Sequence, residues 1–112
     1  MTTVQYEQNC SIMRFVAIFS GKWVLPIVYH LIQAQHPVRF NQLQKALAPI
    51  PQKELSKKLK LLEECQLISK QIYPEVPPRV EYQITALGKS LESSIRSLGD
   101  WMTFYEKNRD EK

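Results

Sequence analysis

The sequence predicts a mainly α fold with one small β-hairpin, arranged as a winged helix-turn-helix with extra helices at both ends. Three observations predict it. Two short amphipathic helical patterns stand close together, separated by a connector marked by Pro49, Ile50 and Pro51. The second of them carries lysines on the face opposite its leucines. Directly after it, two strand-like runs flank a loop with Pro74, Pro77 and Pro78, in the stretch YPEVPPRVEY of residues 73–82. Each proline removes a backbone donor and fixes φ, so such a loop is held extended and its edges resist pairing with other chains.

A chain of 112 residues can build one core and is too short for two. A single domain over residues 1–112 is therefore expected, ordered over about 10–105, with a charged tail over 106–112. The apolar fraction of 44% with 10% aromatics is that of a globular chain. No apolar run reaches the ~18 residues a membrane helix needs, and no signal-peptide pattern opens the chain, so a soluble cytoplasmic protein is expected. Cys10 and Cys65 form no CxxC pair, which argues against a zinc ribbon or a disulfide-stapled fold. His30 and His36 have no acidic or thiol partner at metal-ligand spacing. With three glycines there is no phosphate-cradling loop, and no nucleophile stands beside a base in any motif. Neither an enzyme nor a cofactor is expected.

Charge is more informative in its distribution than in its total of +4. Over residues 37–60, Arg39, Lys45, Lys53, Lys57, Lys58 and Lys60 stand against Glu54 alone, a local excess of +5. Residues 61–112 carry a net −2. Clustering of this kind is the electrostatic footprint of a polyanion partner, although a solvated lysine-rich helix gives the same count.

Element by element, residues 10–19 (CSIMRFVAIF) read as a short helix, broken at Ser20-Gly21. Residues 22–33 are apolar on nearly every side, as in a central core helix, with Pro26 early enough to leave the helix intact. Val38-Arg39-Phe40 is a very short strand candidate. Asn41 is the expected cap of the next helix, with Gln44 completing a capping box and Leu43 and Leu47 facing inward. From Pro51 to about Cys65, Leu55, Leu59 and Leu62 form one apolar stripe, while Gln52, Lys53, Ser56, Lys57 and Lys60 project away from it. Val80, Tyr82 and Ile84 alternate in the second strand of the hairpin. Thr85 then caps a single long helix with its seam at Leu87, Leu91, Ile95, Leu98, Met102 and Tyr105, fraying from Glu106.

With this order of elements the chain resembles the HxlR-type transcriptional regulators, a branch of the MarR-like winged-helix proteins. The resemblance rests on Cys10, Gly21-Lys22-Trp23, Arg39-Phe40-Asn41 with Leu43, Ile50, Leu55-Ser56 with Leu59 and Leu62, Tyr73-Pro74 with Pro77-Pro78-Arg79-Val80-Glu81-Tyr82, Thr85 with Leu87-Gly88, and Trp101. Three positions depart from the family pattern. Pro51-Gln52 stands where Ser-Pro usually opens the recognition helix, Gln66 replaces a usual Gly, and Ser11 replaces the Pro that commonly follows the cysteine.

The resemblance implies that the helix from Pro51 to about Cys65 enters duplex DNA. On that helix Gln52 and Ser56 suit base edges, while Lys53, Lys57 and Lys60 suit phosphates. Arg39 and Arg79 are the expected phosphate or wing contacts, and Lys58 lies on the flank, where its stem can pack on the domain. The family is dimeric, which implies a homodimer on an inverted repeat, with Ile12, Leu91, Ile95, Leu98, Trp101, Met102, Phe104 and Tyr105 as its interface. The other reading of the last helix packs part of its seam on the chain's own first helix. Cys10 sits at a helix start, where the dipole favours a thiolate; in relatives the matching cysteine senses oxidants or electrophiles, and an oxidant or small ligand is the implied effector. Its plainer reading is a small residue packed near the dimer interface. The alternative function is a winged helix that docks proteins through its proline loop and leaves duplex DNA alone.

Overall fold

A computed structural model describes residues 9–109. The elements in order are α1 (Ser11–Phe19), α2 (Val24–Ala34), β1 (Val38–Arg39), α3 (Phe40–Ala46), α4 (Gln52–Glu64), β2 (Ile68–Tyr73), β3 (Arg79–Ile84), α5 (Ala86–Lys89) and α6 (Glu92–Arg109). This is a winged helix-turn-helix: mainly helical, with one small antiparallel sheet of order β1-β3-β2.

The core forms where apolar stripes converge. Val24, Ile27, Val28, Leu31 and Ile32 of α2 meet Leu43 of α3 and Leu55, Leu59 and Leu62 of α4. Val38, Ile50, Ile68 and Tyr82 close it, and among the described residues no polar or charged residue is buried beyond Tyr82 with its hydroxyl. Burial, with the Glu63 carboxylate as second cause, raises the pKa of that hydroxyl. Pro26 is the third residue of α2, where an N–H would have had no intrahelical acceptor, so the helix runs straight through it.

The expected strand and cap around Arg39 came out one step earlier. β1 holds only Val38 and Arg39, paired with Tyr82 and Glu81 of β3. That pairing keeps Arg39 extended (φ −71°, ψ 150°), so α3 starts at Phe40 and Arg39 takes the cap position in place of Asn41. Gln42 plays the part expected of Gln44, its Oε1 accepting from the Arg39 N–H at 3.4 Å. Gln44 instead donates from Nε2 to the Ile50 carbonyl at 3.3 Å, which ties α3 to the connector leading into α4.

α4 begins after Pro51 with no side-chain cap. It ends in a Schellman turn: the Leu67 N–H donates to the Leu62 carbonyl and the Gln66 N–H to that of Glu63. Gln66 must therefore adopt φ 64°, a left-handed conformation that costs an L residue about 1 kcal/mol. Gln66→Gly is expected to stabilise the protein by about 1 kcal/mol, read as a rise in urea midpoint at unchanged m-value. An equal or lower midpoint counts against this account of the turn.

The single long helix expected after Thr85 is two helices. Thr85 caps α5, its Oγ1 accepting from the Gly88 N–H at 3.0 Å and donating back to the Gln66 and Leu67 carbonyls. Gly88 is buried against Leu67, and the chain turns at Ser90 and Leu91 before α6 starts. Leu91 and Ile95 pack on the core from there. α6 then stays helical through Arg109, past the fraying expected from Glu106; residues 110–112 of the expected tail lie outside the described residues. Neither α1 nor α6 has a fully buried residue. The radius of gyration of 16.5 Å exceeds the ~13 Å of a compact chain of this length, which fits helices standing away from the core.

Candidate nucleic-acid interface

α4 is amphipathic in the strict sense. Its three leucines are buried, and Gln52, Lys53, Ser56, Lys57 and Lys60 are all exposed on the other side. Among the described residues, Lys53, Lys57 and Lys60 have no ion-pair partner. Lys58 differs, as its flank position predicts. Its Nζ lies 3.7 Å from Glu54 Oε2, its side chain is 20% exposed, and it rests beside Gly21 in the turn before α2. Lys53 and Lys57 are four residues apart and Lys57 and Lys60 three, spacings at which like charges cost ~0.2–0.5 kcal/mol each. A row of uncompensated cations on one helix face is a cost that a polyanion relieves.

The proline loop, residues 74–78, projects beyond the last β2–β3 pair, Tyr73 with Arg79. Val76 at its tip is fully exposed. Because β1 pairs with β3, the start of α3 comes beside the base of this loop. Between them runs a cleft of about 360 Å³, with Arg39, Phe40 and Asn41 on one wall and Glu75 to Val80 on the other.

Arg39 and Arg79, expected as separate contacts, are brought together by Glu81. Arg39 Nε is 4.0 Å from Glu81 Oε2 and its side chain is 54% exposed. Arg79 is 27% exposed and engaged with Glu75, Glu81 and the Tyr73 ring. Glu81 had been assigned no role beyond its place in the family-like stretch. The available signal was alternation: with Val80 and Tyr82 assigned to the inner side of β3, Glu81 had to face outward between the two arginines.

The residues expected at a dimer interface separate into two groups. Ile12, Leu98, Trp101, Met102, Phe104 and Tyr105 are exposed, with the Trp101 and Tyr105 rings stacked at 5.3 Å. Leu91 and Ile95, by contrast, are partly buried and pack against the chain's own core cluster. They do so because α6 leaves the Ser90 turn against α2, so the intrachain packing of the seam includes α2. Ile95 and Leu98 line a shallow apolar depression with Leu25, Pro26 and Tyr29. Cys10 is half-buried at the cap position of α1, Cys65 half-buried at the end of α4, and both are free thiols.

Comparison with known proteins agrees with this geometry. Residues 18–110 match the HxlR-like helix-turn-helix family. The chain is 35% identical over 103 residues to the uncharacterized HTH-type transcriptional regulator YdeP of Bacillus subtilis strain 168, covering 92% of this chain and 79% of that one. The crystal structure of a MarR-family transcriptional regulator from Porphyromonas gingivalis W83 superposes with a TM-score of 0.78 at 35% identity, over 86% of this chain and 92% of its own. The redox regulator HypR in its reduced form superposes with a TM-score of 0.75 at 31% identity, over 89% of this chain and 94% of its own. With an exposed basic second helix, a proline-held wing and a family match that runs from the end of α1 through α6, the chain belongs to the HxlR-like helix-turn-helix transcriptional regulators.

Proposed function

We propose that this protein regulates transcription by binding duplex DNA as a homodimer at an inverted repeat. The observation that carries the reading is the outer face of α4, where Lys53, Lys57 and Lys60 are exposed and have no counter-charge among the described residues. In this reading α4 occupies the major groove. Gln52 and Ser56 in its first turns meet base edges, where a Gln is suited to bidentate contact with adenine, and the lysines meet phosphates. The exposed face from Leu98 to Tyr105, with Ile12, is the surface a second copy covers. Two recognition helices must then reach successive major grooves roughly 34–36 Å apart, so a modest change at the dimer interface is enough to alter occupancy.

Cys10 is the residue through which an oxidant or electrophile would act. Its support is a free, partly exposed thiol at the start of α1, together with the similarity to HypR, whose solved forms are described as reduced and oxidised.

The test starts from duplexes selected out of a random pool by the reduced protein. Binding is expected to weaken linearly in log K against log salt, by about 0.9 per phosphate neutralised, and sedimentation should find two chains per duplex. Affinity that is flat between 0.05 and 0.2 M salt sinks the DNA reading; one chain per site sinks the dimer.

A further inference from the structure

The two arginines near the wing are held very differently. Tyr73 and Arg79 face each other across the rung that closes the proline loop. The Arg79 guanidinium lies over the Tyr73 ring, 4.0 Å from its centroid. Its Nη2 is 3.3 Å from Glu75 Oε2, and its Nε is 3.4 Å from Glu81 Oε2. That Nε is fully covered and makes no hydrogen bond, so its contact with Glu81 is an ion pair alone. Two carboxylates and an aromatic face thus engage one guanidinium. A planar, delocalised cation suits this arrangement, whereas a compact ammonium cannot fill it. Among the described residues, the one ion pair of Arg39 is the 4.0 Å contact with Glu81, and its side chain is half in solvent. An exposed pair of that kind contributes little.

We propose that Arg79 is a positioning residue that braces the wing from within, and that Arg39 is the arginine of this cleft that meets a DNA phosphate. The second half rests on the DNA-binding reading above; the first rests on the wing geometry alone. A phosphate at Arg79 would compete with two carboxylates, Glu75 and Glu81, already held against the guanidinium. Arg39 gives up a single long contact, and its departure leaves Glu81 paired with Arg79, so the brace persists in the complex.

The decisive variant conserves charge. In the free protein, Arg79→Lys is expected to speed hydrogen exchange in residues 71–80 by about tenfold while α2 exchanges as in the wild type. On a selected duplex the same variant is expected to bind about tenfold more weakly with an unchanged salt slope. Arg39→Ala is expected to lower that slope by about 0.9, alike on all sequences. Arg79→Lys with wild-type exchange and wild-type affinity overturns the brace, as does faster exchange spread through the core. An unchanged slope for Arg39→Ala overturns the phosphate assignment. If the wild type binds no duplex at any salt concentration, the DNA reading and the role of Arg39 fall together, while the exchange measurement still decides the brace.

Discussion

Changing Lys53, Lys57 and Lys60 together to alanine is expected to reduce the slope of log K against log salt by about 2.7, three phosphates at ~0.9 each. Extrapolated from molar salt, that is a loss of about a hundredfold in affinity near 0.15 M and more than about a thousandfold at 0.05 M. The loss should be the same on specific and unrelated duplexes, because phosphate contacts position the protein without reading sequence. The folded chain should tolerate the change. All three side chains are exposed and without ion pairs among the described residues, and alanine is a good helix former. Lys58→Ala is the matched control: its charge is already balanced by Glu54, so the slope should barely move. A triple variant that retains the wild-type slope would remove α4 from the interface.

Gly88→Ala is expected to be the most damaging small substitution in the chain. The constraint is a close approach and not an unusual φ. A methyl group at Gly88 would overlap the Leu67 carbonyl oxygen and come within 2.7 Å of Ile84 Cδ1. That carbonyl cannot retreat cheaply, because it accepts from both the Thr85 N–H, at 3.1 Å, and the Thr85 hydroxyl, at 3.0 Å. Alanine gains ~1 kcal/mol in helix propensity, but overpacking against fixed backbone costs about 3 kcal/mol or more and disturbs both hydrogen bonds. A net loss of roughly 2–4 kcal/mol follows, a fall in Tm on the order of 10–20 °C for a domain of this size. Thermal denaturation of the purified variant decides it; a shift of less than about 3 °C would mean that α5 moves freely off β2 and that Gly88 does not seat it.

Much of the geometry of the candidate interface was legible in the residues. The leucine stripe of α4 set which side chains face out, and the structure exposes all five of Gln52, Lys53, Ser56, Lys57 and Lys60. The flank position assigned to Lys58 was equally readable, since angular projection separates it from the other lysines. The errors concern contacts between distant segments. Asn41 lost the cap to Arg39 because β1 pairs with β3, some forty residues away. The periodic seam through Leu91 and Ile95 suggested one long helix, yet a turn beside Gly88 and Leu67 splits it and packs both residues against the core. Nor did the residues show that Arg79 engages Tyr73, Glu75 and Glu81, which come from both sides of a loop.

By itself the amino-acid order determined the helices through α4, the wing, the family and the basic face of α4. Those follow from residue spacing, proline and glycine chemistry and local charge, which act over a few positions along the chain. Where α5 ends and α6 begins, which half of the last seam stays exposed, and which arginine is already committed were decided only in three dimensions. Each depends on strand register or on a carbonyl and a side chain meeting across the fold, and no local pattern encodes such a meeting.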